Sequence, residues 1–246
     1  MVRVERRDDV GPGVVVITLD RPERRNAVDH DAVLALLDAQ RDAQEAEARV
    51  IVLTGSPPAF CAGADLAGVR EEVFAADLER ALNGFVASPC PVLAAIDGPA
   101  LGAGAQFVAV SDLRIATPSS VIGVPAARLG LVIDRWIAAR IAQEFGDPVA
   151  RGMLLAAERY TADRLYATGA VHRLGGLDAA LEWAGEIARL APLSNVGHKL
   201  ALESLVDTHD HAPEVTAAQR TAWASADAVE GRTAFLDKRE PNFRGR

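Results

Sequence analysis

Residues 91–116, PVLAAIDGPALGAGAQFVAVSDLRIA, contain a complete strand–turn–helix–strand unit. The apolar run at 91–96 predicts a buried strand after a proline, and the glycines of residues 98–104 predict a turn. A short apolar helix then extends to about residue 110, and residues 113–116 begin the next strand. Such short strand–helix–strand connections are typical of α/β proteins with parallel strands.

The same alternation extends toward the N-terminus. The β-branched runs at 14–19 and 50–54 predict two buried strands. Between them, Asp29 or Asp31 can cap a helix whose apolar residues recur at helical spacing. A further helix is predicted over about 71–87. We therefore predict an α/β fold built from repeated strand–helix units.

From residue 135 onward the pattern becomes helical. Helices are predicted at about 135–145, 147–158, 162–168, 177–190, 194–206 and 213–238. Thr161 and Ser194 are predicted N-caps, and Gly146 and Gly169 are predicted to end helices at their C-termini. We expect residues 1–190 to form the core, and residues 191–246 to form a helical region that packs on the core and on a neighbouring subunit.

Composition narrows the possible classes of protein. The chain has 246 residues, a net charge of −8 and two cysteines. The negative charge argues against a nucleic-acid binder, and two cysteines are too few for a disulfide framework or a spaced metal site. No apolar run approaches the roughly 20 residues of a membrane span, and the N-terminus lacks the apolar core of a signal peptide. We expect a cytoplasmic protein without a metal.

Two other enzyme classes fit poorly. The GxxxGxG spacing of Gly98, Gly102 and Gly104 also occurs in short-chain dehydrogenases, but there the turn lies near the N-terminus and a Tyr-x-x-x-Lys pair performs the chemistry. Neither tyrosine of this chain has a lysine four residues on. The G-x-S-x-G turn that an α/β-hydrolase requires is also missing from the sequence.

Two Gly/Ala-rich turns remain as the candidate site. They are FCAGADL at 60–66 and LGAGAQ at 101–106, and each is expected to open a helix. A helix N-terminus offers unpaired backbone N–H groups and partial positive charge. Two such turns that face one point would form an oxyanion hole for a thioester or similar carbonyl. The alternative is that both are tight turns whose small residues serve packing alone.

Four segments, ITLDRPERRNAV (17–28), IVLTGSPPAFCAGADL (51–66), the stretch at 91–116 and FLDKREPNF (235–243), appear in the order and spacing of a known family. They resemble the crotonase superfamily, the enoyl-CoA hydratase/isomerase fold. The resemblance implies a crotonase spiral of ββα units, a helical C-terminal trimerisation region, and a homotrimer or a dimer of trimers. It also implies an acyl-CoA thioester as ligand, with no further cofactor.

The resemblance assigns roles to individual positions. The oxyanion-hole amides would be those of Ala64 and Ala103, although the family usually has glycine at the second position. The remaining positions would contact coenzyme A: Arg24 and Arg25 near its phosphates, Ala62, Asp65 and Leu66 along the adenine and pantetheine path, and Phe235 and Lys238 from an adjacent subunit. For Lys238, the alternative is a solvated helix end.

The chain departs from the hydratases at both of their glutamate positions, which are Gln106 and Ala126 here. Hydration needs a carboxylate to activate water and an acid to protonate the α-carbon. Gln106 can orient a water but cannot take its proton, and Ala126 can do neither. The sequence therefore predicts that ordinary enoyl-CoA hydratase activity is lost.

Asp134 is the remaining acidic candidate, because some isomerases and dehalogenases of the family carry an acid or a nucleophile at this position. Three interpretations stay open for it. Asp134 caps the helix that begins at Arg135, or it contacts the ligand, or it is catalytic in an apolar pocket formed with Val132, Ile133 and Trp136.

Three functional hypotheses follow. The chain most closely resembles actinobacterial members that lack the same glutamates, which implies a carrier or presenter of fatty acyl-CoA in fatty-acid metabolism, with a protein partner of fatty-acid synthesis. The second hypothesis is an acyl-CoA isomerase, hydrolase or dehalogenase that uses the oxyanion hole and Asp134. The third hypothesis is a scaffold that has kept the fold only for oligomerisation. Such a scaffold would have no reason to retain both small-residue turns.

Overall fold

The computed structural model describes residues 1–65, 71–129, 131–205, 217, 221, 224–237 and 239–246. The strands are β1 (Val2–Arg6), β2 (Val14–Leu19), β3 (Val50–Gly55), β4 (Val92–Ile96), β5 (Pro99–Leu101), β6 (Leu113–Ala116), β7 (Val121–Gly123), β8 (Arg159–Thr161) and β9 (Arg173–Leu174). The helices are α1 (His30–Glu45), α2 (Glu71–Val86), α3 (Ala103–Val110), α4 (Arg135–Phe145), α5 (Asp147–Leu155), α6 (Ala162–Ala167), α7 (Leu177–Ala188), α8 (Pro192–Glu203) and α9 (Ala226–Asp237). Two short 3₁₀ helices span Pro22–Arg24 and Pro125–Leu129.

The main sheet has six strands in the order β1-β2-β3-β4-β6-β9. Only β1 is antiparallel to its neighbour. Every residue of β2, β3 and β4 is buried, as expected for parallel strands covered on both faces. Because side chains alternate along a strand, Val14 and Val16 pack with α7, whereas Val15 and Ile17 pack with α1, α2 and α3.

A second layer of strand pairs runs beside this sheet. It contains the three-stranded sheet β5-β7-β8 and two isolated parallel bridges, Val28 with Ala64 and Cys61 with Ala100. The strands β2, β3 and β4 are each followed by a short segment of the second layer and then by a helix, as in β4–β5–α3. This repetition is the ββα spiral, and the predicted α/β crotonase fold is confirmed.

The periodic elements of the first half were predicted closely. Strands β2, β4 and β6 match within one residue, and β3 extends one residue beyond the predicted end. Asp29, rather than Asp31, caps α1, and its Oδ1 accepts from the N–H of Ala32 at 2.9 Å. The strand β5 lies inside the predicted turn at 98–104.

The helical half contains two corrections and one prediction that holds in part. The predicted helix at 147–158 ends at Leu155, because the chain turns into β8, a strand that was not predicted. Ser194 is not an N-cap, since α8 already begins at Pro192, a proline in the first turn. Thr161 does occupy an N-cap position, but its side chain makes no capping bond. A helix was also predicted at 213–238. Within that range the structure describes one continuous helix, α9.

Buried charges hold the C-terminal helices to the core. The Lys199 ammonium of α8 donates to the carbonyls of Phe85 and Cys90 and to Asp112 Oδ2, at 2.9, 3.2 and 2.8 Å. Glu203, at the end of the same helix, pairs with the buried Arg140 of α4, with Nη2 and Oε1 2.9 Å apart. The helix α8 therefore packs on the core of its own chain. The division at residues 190 and 191, and the contact with a neighbouring subunit, stay predictions.

The C-terminal segment also returns to the core. Asp227 accepts the backbone N–H groups of Arg244 and Gly245, both at 2.6 Å. Arg49 donates through Nη2 to the carbonyl of Phe243 at 3.0 Å. No helix in the described ranges is long and apolar enough to cross a bilayer.

Candidate functional site

The two predicted turns lie in contact with each other. Cys61 donates its N–H to the carbonyl of Pro99 at 3.0 Å, and the N–H of Leu101 donates to the carbonyl of Cys61 at 2.9 Å. Glycine is required on both sides of this contact. A Cβ on Gly104 would lie 2.3 Å from the Cys61 carbonyl oxygen, and Gly63, with φ of +118°, lies against the carbonyl of Leu101.

The amide of Ala64 points away from its strand partner. The parallel bridge with Val28 uses the carbonyl of Gly63 and the N–H of Asp65, at 2.9 and 2.8 Å. In a parallel pair, the residue between two such bonds directs its own N–H to the opposite side. The N–H of Ala64 thus has no acceptor among the described residues.

The amide of Ala103 is free for a different reason. Ala103 is the first residue of α3, where backbone N–H groups have no partner inside the helix. Its predecessor Gly102 has φ of +55° and offers no side-chain cap. Within the described ranges, the Ala103 N–H has no acceptor either.

The two amides therefore belong to touching turns, and neither has an acceptor among the described residues. Ala103 is 4% exposed and Ala64 is half-buried against the same apolar core. Two N–H donors that reach the same point, one of them at a helix N-terminus, could stabilise negative charge on a carbonyl oxygen. The first turn does not lead directly into a described helix, since α2 begins at Glu71 and residues 66–70 lie outside the described ranges.

Neither glutamate position carries an acid. Gln106 lies three residues after Ala103 on the same face of α3, is half-buried, and has no side-chain hydrogen bond within the described part of the chain. Ala126 lies in the 3₁₀ helix Pro125–Leu129 and packs against the apolar core that also includes Ala64. The proton-transfer groups of a hydratase are thus replaced by an amide and a methyl group.

Asp134 caps its own helix. Its Oδ1 accepts the N–H of Trp136 at 2.7 Å, and the residue is exposed. Val132 is 95% exposed, whereas Ile133 and Trp136 pack against the core. Of the three interpretations left open for Asp134, the helix cap is thus present, and among the described residues no apolar pocket surrounds the carboxylate. Whether Asp134 contacts ligand stays a prediction.

The positions predicted to contact coenzyme A differ in how far the structure describes them. Arg24 and Arg25 are exposed beside Ala62, whose N–H donates to the carbonyl of Arg25 at 3.0 Å. Phe235 lies in α9, and its side chain is not described. Leu66 and Lys238 lie outside the described residues.

Asp65 has a partner that the sequence did not predict. Its Oδ2 lies 3.4 Å from Nη2 of Arg21, which also pairs with Asp29 at 2.8 Å. Arg21 belongs to the segment at 17–28, but no local spacing indicates a pairing across 44 residues. Asn26 was missed as well. Its buried side-chain amide donates to the carbonyls of Ser56 and Ala59 at 2.7 and 2.6 Å.

The thiol of Cys61, in the first of the two turns, is unsuited to nucleophilic chemistry. Burial raises the pKa of Cys61 to about 12, so that the thiol stays neutral at physiological pH. Among the residues that the structure describes, no group of three or more metal-ligating side chains occurs.

The fold and the paired amides define an α/β protein of the crotonase type. The profile of the family "Enoyl-CoA hydratase/isomerase" matches residues 9–246. A Mycobacterium tuberculosis protein named "Probable enoyl-CoA hydratase echA6" is 42% identical over 239 residues, covering 94% of this chain and 96% of the relative. Its Mycobacterium leprae counterpart is 40% identical over 95% and 96% of the two chains.

Solved structures agree with this assignment. A "Putative enoyl-CoA hydratase/isomerase family protein" of Hyphomonas neptunium has a TM-score of 0.89 and 29% identity, covering 100% of this chain and 98% of the other. The chain belongs to the enoyl-CoA hydratase/isomerase family, and its resemblance to the crotonase superfamily and to actinobacterial members is confirmed.

Proposed function

We propose that this protein binds acyl-CoA thioesters and that the thioester oxygen accepts from the N–H groups of Ala64 and Ala103. The observation that carries the proposal is the pair of unused amides on two touching turns. Packing alone would account for the small residues. It would not account for two shielded N–H groups left without an acceptor, since such groups are normally paired.

The coenzyme A part of the ligand would lie toward Arg24 and Arg25. Both guanidinium groups are exposed and make no ion pair within the described residues, so that they remain available for phosphates. Leu66 is proposed to line the pantetheine path, and Phe235 and Lys238 to reach the ligand from an adjacent subunit. This last role requires the homotrimer, alone or as a dimer of trimers.

We further propose that the bound thioester is not hydrated. A general acid or base typically contributes about 10²–10⁴-fold to a rate, and Gln106 and Ala126 supply neither. A protein that holds the thioester without these groups would carry or present fatty acyl-CoA in fatty-acid metabolism, in the cytoplasm, to a protein partner of fatty-acid synthesis. The alternative enzyme that uses Asp134 is less favoured, because the carboxylate is exposed and occupied by its helix cap.

Ala103→Pro tests the binding site. Proline is well tolerated at the first position of a helix. It removes an N–H that has no protein acceptor in the described structure, and its Cδ occupies the place of the amide hydrogen, where the thioester oxygen would bind. Lauroyl-CoA affinity, measured by native mass spectrometry and calorimetry, should therefore fall by at least about 3- to 10-fold, the effect of losing one hydrogen bond. Free coenzyme A should bind as before.

Leu177→Pro is the matched control, since Leu177 is an exposed first residue of α7. It should leave lauroyl-CoA affinity unchanged. If folded Ala103→Pro binds lauroyl-CoA as tightly as the wild type, or if the wild type prefers free coenzyme A, the proposed site is wrong.

A further inference from the structure

We propose that Arg21 is a positioning residue for the oxyanion hole, and that it fixes the direction of the Ala64 amide through Asp65. This role rests on the proposed function, because it concerns the same thioester site. Arg21 itself would not touch the thioester.

The Arg21 guanidinium lies where three segments of the chain meet. Nη1 donates to the carbonyl of Ala27 at 2.6 Å. Nη2 pairs with Asp29 Oδ2 at 2.8 Å and with Asp65 Oδ2 at 3.4 Å. The side chains of Arg21 and Asp65 are only 17% and 18% exposed, so that solvent screens this contact less than it screens a surface pair.

These contacts surround the residue that bonds to the first turn. Val28 lies between Ala27 and Asp29, both of which Arg21 binds, and Val28 forms the two hydrogen bonds to Gly63 and Asp65. The Asp65 carboxylate adds a side-chain link between the same two segments. The methyl group of Ala64 can make no hydrogen bond that would orient the residue, so its N–H direction depends on these neighbours.

The Arg21 backbone strengthens the same arrangement. Its N–H donates to Oδ1 of Asn26 at 2.9 Å, and the Asn26 amide nitrogen donates to the loop that precedes Cys61. The loop at 21–29 is therefore held firmly. The turn at 61–65 is held to it by Val28, by the bond from the Ala62 N–H to the Arg25 carbonyl and by the Arg21–Asp65 pair, which is the contact nearest to Ala64 that involves side chains. Loss of that pair should let the turn move while the fold is retained.

Arg21→Gln should therefore weaken the thioester contact selectively. We expect lauroyl-CoA affinity to fall by roughly 3- to 10-fold, the range of one weakened hydrogen bond, and affinity for free coenzyme A to stay within about twofold. A purely structural defect would lower both affinities together. Arg41→Gln is the matched control, because Arg41 forms an exposed pair with Asp38. It should change neither affinity.

A spectroscopic measurement reports the amide contact itself. Hydrogen bonding lowers the stretching frequency of a carbonyl, so lauroyl-CoA labelled with ¹³C at the thioester carbonyl should show a lowered frequency on the wild-type protein. In Arg21→Gln, the frequency should return part of the way toward its value in water. In Arg41→Gln it should match the wild type.

Two variants separate Asp65 from Asp29. Asp65→Ala should reproduce the change of carbonyl frequency in Arg21→Gln, whatever its effect on affinity for free coenzyme A, and it also tests the proposal if Arg21→Gln does not fold. Asp29→Asn keeps the α1 cap, since asparagine caps as well as aspartate, and should leave the carbonyl frequency near the wild-type value. If Asp29→Asn alone reproduces the effect, Arg21 acts through α1 and the proposal fails.

The outcomes distinguish this inference from the proposed function. Wild-type protein that does not bind lauroyl-CoA more tightly than coenzyme A contradicts the proposed function. Wild-type binding with an unchanged affinity and carbonyl frequency in Arg21→Gln and Asp65→Ala contradicts only the role of Arg21.

Discussion

Replacing Gly104 by alanine should separate the two turns that form the proposed oxyanion hole. The added Cβ would lie 2.3 Å from the carbonyl oxygen and 2.9 Å from the Cβ of Cys61. Ordinary contact needs roughly 3.4 Å or more between such atoms, so the turns must move apart by about 1 Å. Neither contacting atom belongs to a flexible side chain that could rotate away.

This displacement should lower both the stability of the protein and its affinity for the thioester. A forced methyl group in a packed interior typically destabilises by about 1–3 kcal/mol. Each amide–oxygen hydrogen bond contributes about 1 kcal/mol, so losing one weakens thioester binding about 5-fold and losing both about 30-fold. Affinity for free coenzyme A should stay close to that of the wild type, because its phosphates are proposed to contact other residues, Arg24 and Arg25.

The assay is calorimetric titration of lauroyl-CoA and of coenzyme A into Gly104→Ala, with urea unfolding measured alongside. Gly176→Ala is the matched control. A Cβ there would meet only a methyl group of Thr117 at 4.0 Å. If Gly104→Ala binds lauroyl-CoA within twofold of the wild type, the reasoning that the contact of the turns sets the amide geometry is refuted.

Three further predictions concern the two missing glutamates, the helix cap Asp134 and the buried Lys199. Crotonyl-CoA should show no appreciable loss of its conjugated-thioester absorbance, whereas Gln106→Glu combined with Ala126→Glu should raise any residual turnover. A wild-type rate within about tenfold of an ordinary hydratase would contradict this. Asp134→Asn should leave lauroyl-CoA affinity unchanged and alter stability by less than about 0.5 kcal/mol, because asparagine preserves the cap. A dienoyl-CoA turnover abolished by this substitution would establish an enzyme instead. Lys199→Met should lower the free energy of unfolding in urea by about 2 kcal/mol, since it leaves the half-buried Asp112 without its ion-pair partner and two backbone carbonyls without their donor. A loss below 1 kcal/mol would show that the pair contributes little.

Local pattern was sufficient for the long apolar elements of the first half, whereas the exposed edge strand β1 was not predicted. The β-branched runs of β2 and β3 and the capped helix α1 are encoded in consecutive residues, so their predicted bounds agree with the structure. The strands β5, β8 and β9 span two or three residues each and exist because distant segments pair with them. Such short strands leave no periodic signal in the sequence.

The candidate site likewise combines features that local sequence predicts with contacts that only the fold creates. The two Gly/Ala turns were found because small residues at a predicted turn form a local pattern. The pairing of Arg21 with Asp65 and the three acceptors of Lys199 depend on residues brought together only by the fold. At Asp134 the sequence left three interpretations open. The structure shows the cap and no apolar pocket, because apolar neighbours in sequence need not point inward.

The most direct test of the account is a crystal structure of the wild-type protein with lauroyl-CoA bound. The account predicts that the thioester oxygen lies within about 2.7–3.2 Å of the backbone nitrogens of both Ala64 and Ala103. A well-ordered thioester whose oxygen contacts neither amide would contradict the central claim.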